Sequence, residues 1–99
     1  MDLTPEFYRN CIERIDYSGL DEPFRNPMQN CIERGCSPGD ALLCVLENNL
    51  KAVMRFEDPW MLYRVFRWVN NALPLPIWGS RKKVRAWMDM AHSQWRVRA

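Results

Sequence analysis

The residues that could carry out chemistry in this 99-residue chain are one histidine, His92, and four cysteines. The cysteines, at positions 11, 31, 36 and 44, are separated by 20, 5 and 8 positions. None of these separations is the C-x-x-C spacing of zinc ribbons or thioredoxin-like sites. Cys11, Cys31 and Cys44 stand among apolar neighbours at helical spacing, which favours free thiols in a reducing compartment. A four-thiolate zinc site and disulfides are the alternatives, and we predict no metal site.

Signatures of catalysis are missing from the sequence as well. His92 stands beside an apolar stripe and near Asp89, which is typical of a structural histidine. The sequence contains no nucleophile elbow, paired-carboxylate pattern or glycine-rich phosphate loop, and its four glycines all stand as helix or turn punctuation. We therefore predict that the protein is not an enzyme and needs no cofactor.

A cationic cluster begins the last predicted helix. Its members are Arg81, Lys82, Lys83 and Arg85. A helix N-terminus carries about half a positive charge, so each base there costs about 0.3 to 1 kcal/mol at low salt. Cations beside free backbone N–H groups are suited to bind phosphate or carboxylate. The alternative is a solvated charge run that keeps a tryptophan-rich helix soluble.

A second candidate surface lies on the fourth predicted helix. At 100° per residue, one face collects Trp60, Tyr63, Arg64, Arg67 and Asn71, opposite the apolar stripe. Aromatic and arginine side chains on a shared exposed face are typical of interface hot spots. The alternative is that Trp60 folds back on a neighbouring helix and the arginines only solvate the face.

The chain is rich in tryptophan, with five in 99 residues. Their positions place Trp87 and Trp95 on an apolar stripe, whereas Trp60, Trp68 and Trp78 lie at stripe edges or in a linker. We therefore predict the latter three to be exposed and count Trp78 as partner-binding. The predicted partner-binding residues are Trp60, Tyr63, Arg64, Arg67, Asn71, Trp78, Arg81, Lys82, Lys83 and Arg85.

Prolines and glycines divide the sequence into segments with helical spacing of apolar residues. No segment of similar length alternates apolar and polar residues as a β-strand does, so we predict an all-α, single-domain bundle over residues 1–99. The five predicted helices span residues 5–17, 27–34, 38–57, 59–72 and 81–96. An extended, polyproline-like Leu73-Pro74-Leu75-Pro76 connection precedes the last helix. The predicted helix starts and stops are Thr4 with Pro5, Gly19, Asn26, Gly35, Ser37 with Asp40 as a capping box, and Ser80.

The predicted core follows the apolar stripes of these helices. It comprises Tyr8, Cys11, Ile12, Ile15, Leu42, Val45, Leu46, Leu50, Val53, Phe56, Leu62, Val65, Phe66, Val69, Val84, Trp87, Met88, Ala91 and Trp95. Asn49 falls inside one stripe and needs hydrogen-bond partners there, such as a neighbouring helix terminus.

One short segment occurs twice. Asn-Cys-Ile-Glu-Arg at residues 10–14 recurs at residues 30–34, and the flanks do not match well. Two copies are too few for a solenoid. The functional hypothesis is two equivalent helices that present the same surface, and the alternative is coincidence or an old duplication.

Charge is distributed unevenly along the chain. Residues 1–50 carry four arginines and nine acids, a net charge of −5, whereas residues 51–99 carry ten bases and three acids, a net charge of +7. This asymmetry favours an acidic or polyanionic partner for the C-terminal half, unless the two halves neutralise each other. The 47% apolar fraction excludes a chain that stays disordered.

The start of the sequence is acidic and resembles no secretory signal, so we expect a cytoplasmic location. The longest apolar run, at residues 41–46, is far short of the ~20 residues that span a membrane. We therefore expect no membrane association.

The leading functional hypothesis is a small binding module that docks its basic, aromatic C-terminal half on an acidic protein surface. Its size suits an inhibitor or adaptor, for example a phage or mobile-element protein that blocks a host defence complex. The alternative is a DNA- or RNA-binding protein that uses the basic start of the last helix. Residues 27–48 have a helix-turn-helix layout, but their second helix starts with no side chain suited to contact bases or phosphates. A homodimer closed by the exposed aromatic face is a further alternative.

Overall fold

Six α-helices and two 3₁₀ turns form the fold in a computed structural model that describes residues 3–56 and 58–98. The helices are α1 (Pro5–Arg14), α2 (Glu22–Arg34), α3 (Asp40–Leu46), α4 (Leu50–Val53), α5 (Pro59–Ala72) and α6 (Arg81–Arg98). The 3₁₀ turns are Tyr17–Gly19 and Leu75–Ile77. These two ranges contain no strand, so the all-α prediction is confirmed.

Three of the predicted helix starts are made by side-chain caps. The Thr4 hydroxyl accepts a hydrogen bond from the Phe7 N–H at 3.1 Å, and the Ser80 hydroxyl accepts one from Lys83 at 3.2 Å. Asp58 caps α5 in the same way, so this helix has its predicted bounds. α1 is shorter than predicted because Ile15 is extended, and Gly19 ends the following 3₁₀ turn instead.

α2 starts at Glu22, which corrects the prediction of a helix that begins at residue 27 after an Asn26 cap. Pro23 stands in the first turn, where its missing N–H costs no intrahelical bond, and Pro27 is accommodated inside the helix. Arg25 reaches back from the first turns to donate to the carbonyls of Leu20, at 2.7 Å, and Ser18. These bonds and the burial of Leu20 hold the helix start in place.

The single helix predicted for residues 38–57 is two short helices. Asn48 breaks it with a φ of +60°, a left-handed conformation that asparagine tolerates better than most residues. Asn49 caps α4 from an exposed position and accepts a bond from Ala52, so its predicted place in the core is wrong. The break also leaves Leu50 exposed. The predicted capping box is absent because Gly39 is the cap of α3.

The Leu-Pro-Leu-Pro connection is only half extended, contrary to prediction. Leu73 and Pro74 are extended, but Leu75–Ile77 turns as a 3₁₀ helix with proline near its start. Ile77 is buried in this turn, and the Gly79 N–H donates to the Leu46 carbonyl at 2.8 Å. The connection is therefore held against the C-terminal end of α3 and is not a free spacer.

The core lies between two pairs of packed helices, α2 against α6 and α3 against α5. Gly35 ends α2 in a left-handed conformation, as predicted, and approaches α6 so closely that a Cβ there would lie 2.2 Å from the Met88 carbonyl oxygen. The radius of gyration, 12.8 Å, is that of a compact domain of this length. The buried apolar residues are Tyr8, Cys11, Leu20, Met28, Cys31, Ile32, Leu42, Val45, Leu46, Val53, Leu62, Val65, Trp68, Val69, Leu73, Ile77, Trp78, Val84, Trp87 and Ala91.

Candidate docking surface

The aromatic and arginine side chains of α5 lie on one exposed face, as the helical spacing predicts. This α5 face consists of Trp60, Tyr63, Arg64, Arg67 and Asn71, and all five are exposed. Trp60 is 75% exposed and Tyr63 is 53% exposed, and their rings meet edge to face with centroids 6.4 Å apart. The hypothesis that Trp60 folds back on a neighbouring helix is therefore wrong.

Arg64 is the member of the α5 face that has an acidic partner. Its guanidinium lies 2.9 Å from an Asp21 carboxylate oxygen, in an exposed pair. Such a pair contributes about 0 to 1 kcal/mol, so it does not prevent Arg64 from contacting a partner. Arg67 forms no ion pair with any residue that the structure describes. It lines a shallow depression with Gly19, Arg64, Trp68 and Asn71.

Three of the five tryptophans do not have the predicted environment. Trp68 is 8% exposed, stacks on Tyr17 and donates its indole N–H to the Asp16 carbonyl at 3.1 Å. Trp78 is 7% exposed and donates to the Leu73 carbonyl, so it is a core residue and not a partner-binding one. Trp95 is only half-buried, with the Arg34 guanidinium 4.3 Å from its ring centroid.

The same chemical reason explains Trp68 and Trp78. An indole N–H that finds a backbone carbonyl can enter the core without leaving an unsatisfied donor. Position at a stripe edge or in a linker does not show whether such a carbonyl is near. Trp87, predicted and confirmed as core, also donates to a carbonyl, that of Ile32 at 2.9 Å.

The cations at the start of α6 are exposed but do not all border the same depression. Lys82 and Lys83 line a depression of about 420 Å³. Arg85 instead borders a depression that also contains the acids Glu47 and Asp89. Among the described residues, none of the four cations forms an ion pair. Within the predicted basic cluster, the structure therefore separates the two lysines from Arg85.

Three depressions have linings that adjoin one another in the chain. The first is bounded by Leu3, Leu75 and Lys82, the second by Phe7, Arg14 and Pro74, and the third by Gly19 and Arg67. Pro74 of the second lining precedes Leu75 of the first, and Asn71 of the third precedes Ala72 of the second. We call these three depressions together the α1 trough. Their linings include residues of the α5 face and the two lysines of α6.

The two oppositely charged halves of the chain do not neutralise each other. Within the described ranges, Arg64 with Asp21 is the single ion pair within 4.0 Å. Arg25 and Arg34 are occupied by carbonyl oxygens and by Trp95, respectively. Among the described side chains of residues 58–97, the cations other than Arg64 therefore remain available to an external partner.

The thiols have the environments of packed side chains. Cys11 and Cys31 are buried, and burial raises the pKa of both thiols, that of Cys31 to about 12. Cys44 is half-buried and Cys36 is exposed. All four are free, and the described residues contain no group of three or more histidine, cysteine or acidic side chains that could hold a metal ion. His92 is exposed at the edge of the Arg85 depression.

The two copies of Asn-Cys-Ile-Glu-Arg do not present the same surface. Both cysteines are buried, but Arg14 borders the α1 trough whereas Arg34 covers Trp95. Asn10 also lines the trough, whereas the Asn30 carbonyl closes the end of α2 by accepting from Cys36. The structure therefore gives no support to two equivalent helices.

Sequence reasoning missed the residues of the trough outside α5 and α6. Leu3, Asn10, Arg14 and Leu75 border it although they belong to different elements. Of these residues, only Leu75 could have been identified from the sequence. A leucine between two prolines does not belong to the apolar stripe of a helix. No periodicity predicts which side of α1 faces the connection.

Within the described ranges, none of the helices combines the length and the apolar character needed to cross a membrane. Comparison with family models, curated proteins and solved structures found no match for this chain.

Proposed function

We propose that this protein is a non-enzymatic binding module that docks the α5 face, together with the neighbouring cations, on an acidic protein surface. The observation that carries the proposal is the pair Trp60 and Tyr63, exposed beside Arg64 and Arg67 on one rigid helix. Tryptophan, tyrosine and arginine are the residue types that dominate binding hot spots. An acidic partner follows from the two arginines and from the +7 charge of residues 51–99.

The face is organised before a partner arrives. α5 is capped at Asp58 and buries Leu62, Val65 and Val69 on its opposite side, so its exposed residues are held on a fixed backbone. Binding therefore orders side chains but little main chain, which reduces the entropic cost of association. We propose that the protein acts as an inhibitor or adaptor, by covering a surface of its partner and without catalysing a reaction. A phage or mobile-element protein that blocks a host defence complex is one such role.

Nucleic-acid binding is the second candidate, and the exposed, unpaired cations at the start of α6 favour it. If all four contacted DNA phosphates, the logarithm of the binding constant should fall with the logarithm of salt concentration with a slope of about −3.6. The position of Lys82 and Lys83 at one depression and of Arg85 at another argues against four simultaneous contacts.

Pull-down from the native host with mass spectrometry, with and without nuclease, tests the proposal. We expect nuclease-resistant capture of an acidic protein that is lost in Arg64→Glu/Arg67→Glu and in Trp60→Ala/Tyr63→Ala. Truncation of an aromatic hot spot costs about 2 kcal/mol or more, roughly a thirtyfold loss of affinity.

Arg9→Glu/Arg55→Glu is the matched control, because both arginines are exposed and neither lines the α1 trough. This variant should retain capture, and all variants should keep the helical circular dichroism. Capture that survives both α5 substitutions contradicts the proposal. Capture that nuclease removes supports the second candidate, and a stable dimer lost in Trp60→Ala/Tyr63→Ala supports self-association.

A further inference from the structure

We propose that the α1 trough binds an extended peptide segment in which acidic and aliphatic residues alternate. The inference rests on the proposed function. It specifies that the partner protein which docks on the α5 face also has a short acidic segment that lies in the α1 trough. It uses residues that the α5 face does not contain, chiefly Lys82, Lys83 and Arg14.

The shape of the trough favours an extended chain. Its lining residues form two runs along the chain, one from Leu3 through α1 to Gly19 and the other in reverse from Pro76 to Arg64. The ten residues of α1 measure about 15 Å at 1.5 Å per residue. An extended peptide of roughly five residues covers this distance at about 3.3 Å each.

The charge of the trough selects an acidic occupant. Lys82 and Lys83 stand at one end, Arg14 in the middle, and Arg64 and Arg67 at the other end. None of the described residues that line the three depressions is acidic. The contrast is the depression that Arg85 lines, which also includes Glu47 and Asp89. Of the trough cations, Arg64 has an acidic partner, Asp21, whereas the other four form no ion pair with a described residue. Positive charges without such partners attract a complementary potential and increase the association rate.

The uncharged lining of the trough selects aliphatic side chains in the occupant. Leu3, Leu75, Pro76 and Ala86 surround the two lysines, and Leu75 is 69% exposed. Bases of a single-stranded nucleic acid bind by stacking on aromatic planes. The Lys82 end of the trough offers no aromatic side chain among its described lining residues, so it favours a peptide over a nucleic acid.

The probe for this proposal is a capped hexapeptide that alternates glutamate and leucine, titrated into isotopically labelled protein and followed by amide chemical shifts. We expect shifts at Leu3, Asn10 and Leu75. The Lys82→Glu/Lys83→Glu variant should weaken binding about tenfold or more, and Arg14→Glu should weaken it in the same direction.

Arg85→Glu is the control, because Arg85 lies on the same helix but borders a different depression, which also includes Glu47 and Asp89. We expect it to leave the affinity unchanged within about twofold. Hexaglutamate should bind more weakly than the alternating peptide, and an alternating lysine–leucine peptide should not bind. Equal loss in Arg85→Glu and Lys82→Glu/Lys83→Glu, or peptide shifts outside the trough, would overturn the proposal. So would equal or tighter binding of hexathymidylate at the same amides.

The two proposals can fail separately. Trp60→Ala/Tyr63→Ala should abolish capture of the protein partner but preserve the peptide shifts at Leu3 and Leu75. Peptide binding without any captured partner would reject the proposed function alone. Capture that needs the α5 face, with no peptide binding in the trough, would reject the further inference alone.

Discussion

At the scale of single residues, whether a tryptophan is buried depends on whether a backbone carbonyl oxygen lies within reach of its indole N–H. Trp68 and Trp78 are core residues because each indole N–H reaches a carbonyl, whereas Trp60 has no such contact with a described residue and is 75% exposed. Trp60 is therefore the one tryptophan among the five that combines high exposure with a position on the α5 face.

Gly35 carries a residue-scale prediction. Its φ of +73° strains any L side chain, and a Cβ there would lie 2.2 Å from the Met88 carbonyl oxygen. We expect Gly35→Ala to lower the free energy of unfolding by about 4 kcal/mol, measured by urea denaturation, because α6 must move away from α2.

Gly39→Ala is the comparison for that measurement. Gly39 has a φ of +96°, but nothing lies within 4 Å of its added Cβ. We expect a backbone cost of about 1 to 3 kcal/mol and no change in the near-ultraviolet signal of the buried tryptophans. A loss in Gly35→Ala no larger than that in Gly39→Ala would contradict the close α2–α6 approach.

At the scale of elements, the break between α3 and α4 decides which apolar residues reach the core. Asn48 interrupts the helix with its positive φ, and Asn49 caps a new helix, α4. Leu50 leaves the stripe that a continuous helix would have formed and becomes exposed, whereas Val53 remains buried.

The cap of α4 gives an element-scale prediction. The Asn49 side-chain oxygen accepts a bond from the Ala52 N–H at 3.2 Å, and the side chain is otherwise exposed. We expect Asn49→Ala to reduce the free energy of unfolding by about 1 kcal/mol in thermal denaturation, because a four-residue helix loses its cap.

Serine at this position provides the control. Asn49→Ser retains an acceptor for the Ala52 N–H, so we expect most of the lost stability to return. Equal destabilisation by alanine and serine would show that the asparagine does not act as a cap.

At the scale of the whole molecule, the C-terminus of α2 is where three helices are joined. The last carbonyls of a helix have no partner within it. Here the Ile32 carbonyl accepts from Trp87 of α6, and the Glu33 carbonyl accepts from the Tyr8 hydroxyl of α1. Tyr8 and Trp87 also contact each other, with ring centroids 5.9 Å apart. Aromatic side chains from two other helices thus donate hydrogen bonds to the last carbonyl groups of α2.

The whole-molecule prediction concerns this junction. Tyr8→Phe keeps the ring but removes the hydroxyl, so the Glu33 carbonyl loses a buried donor. We expect the free energy of unfolding to fall by about 1 to 3 kcal/mol in urea denaturation.

Tyr63→Phe is the matched control, because it removes the same hydroxyl from a tyrosine that is 53% exposed. This exposed change should alter stability by no more than about 0.5 kcal/mol. Equal effects of the two substitutions would contradict the role of Tyr8 in joining α1 to α2.

The candidate surface was predictable where it depends on one helix. The shared face of Trp60, Tyr63, Arg64, Arg67 and Asn71 follows from 100° per residue, and α5 has its predicted bounds. Prediction was wrong for Trp78, whose burial depends on a bond to Leu73 across the 3₁₀ turn. It also treated the four cations of α6 as one cluster, although Lys82 and Lys83 border one depression and Arg85 borders another.

The amino-acid sequence by itself determined the all-α class, the caps at Thr4, Gly35 and Ser80 and the exposed α5 face, because these features arise from interactions between residues within about four positions of each other. The tertiary structure decided the partners of the indole N–H groups, the division of the basic cluster and the α1 trough. Each of these depends on atoms from residues that are distant in the chain, and only packing brings such atoms into contact.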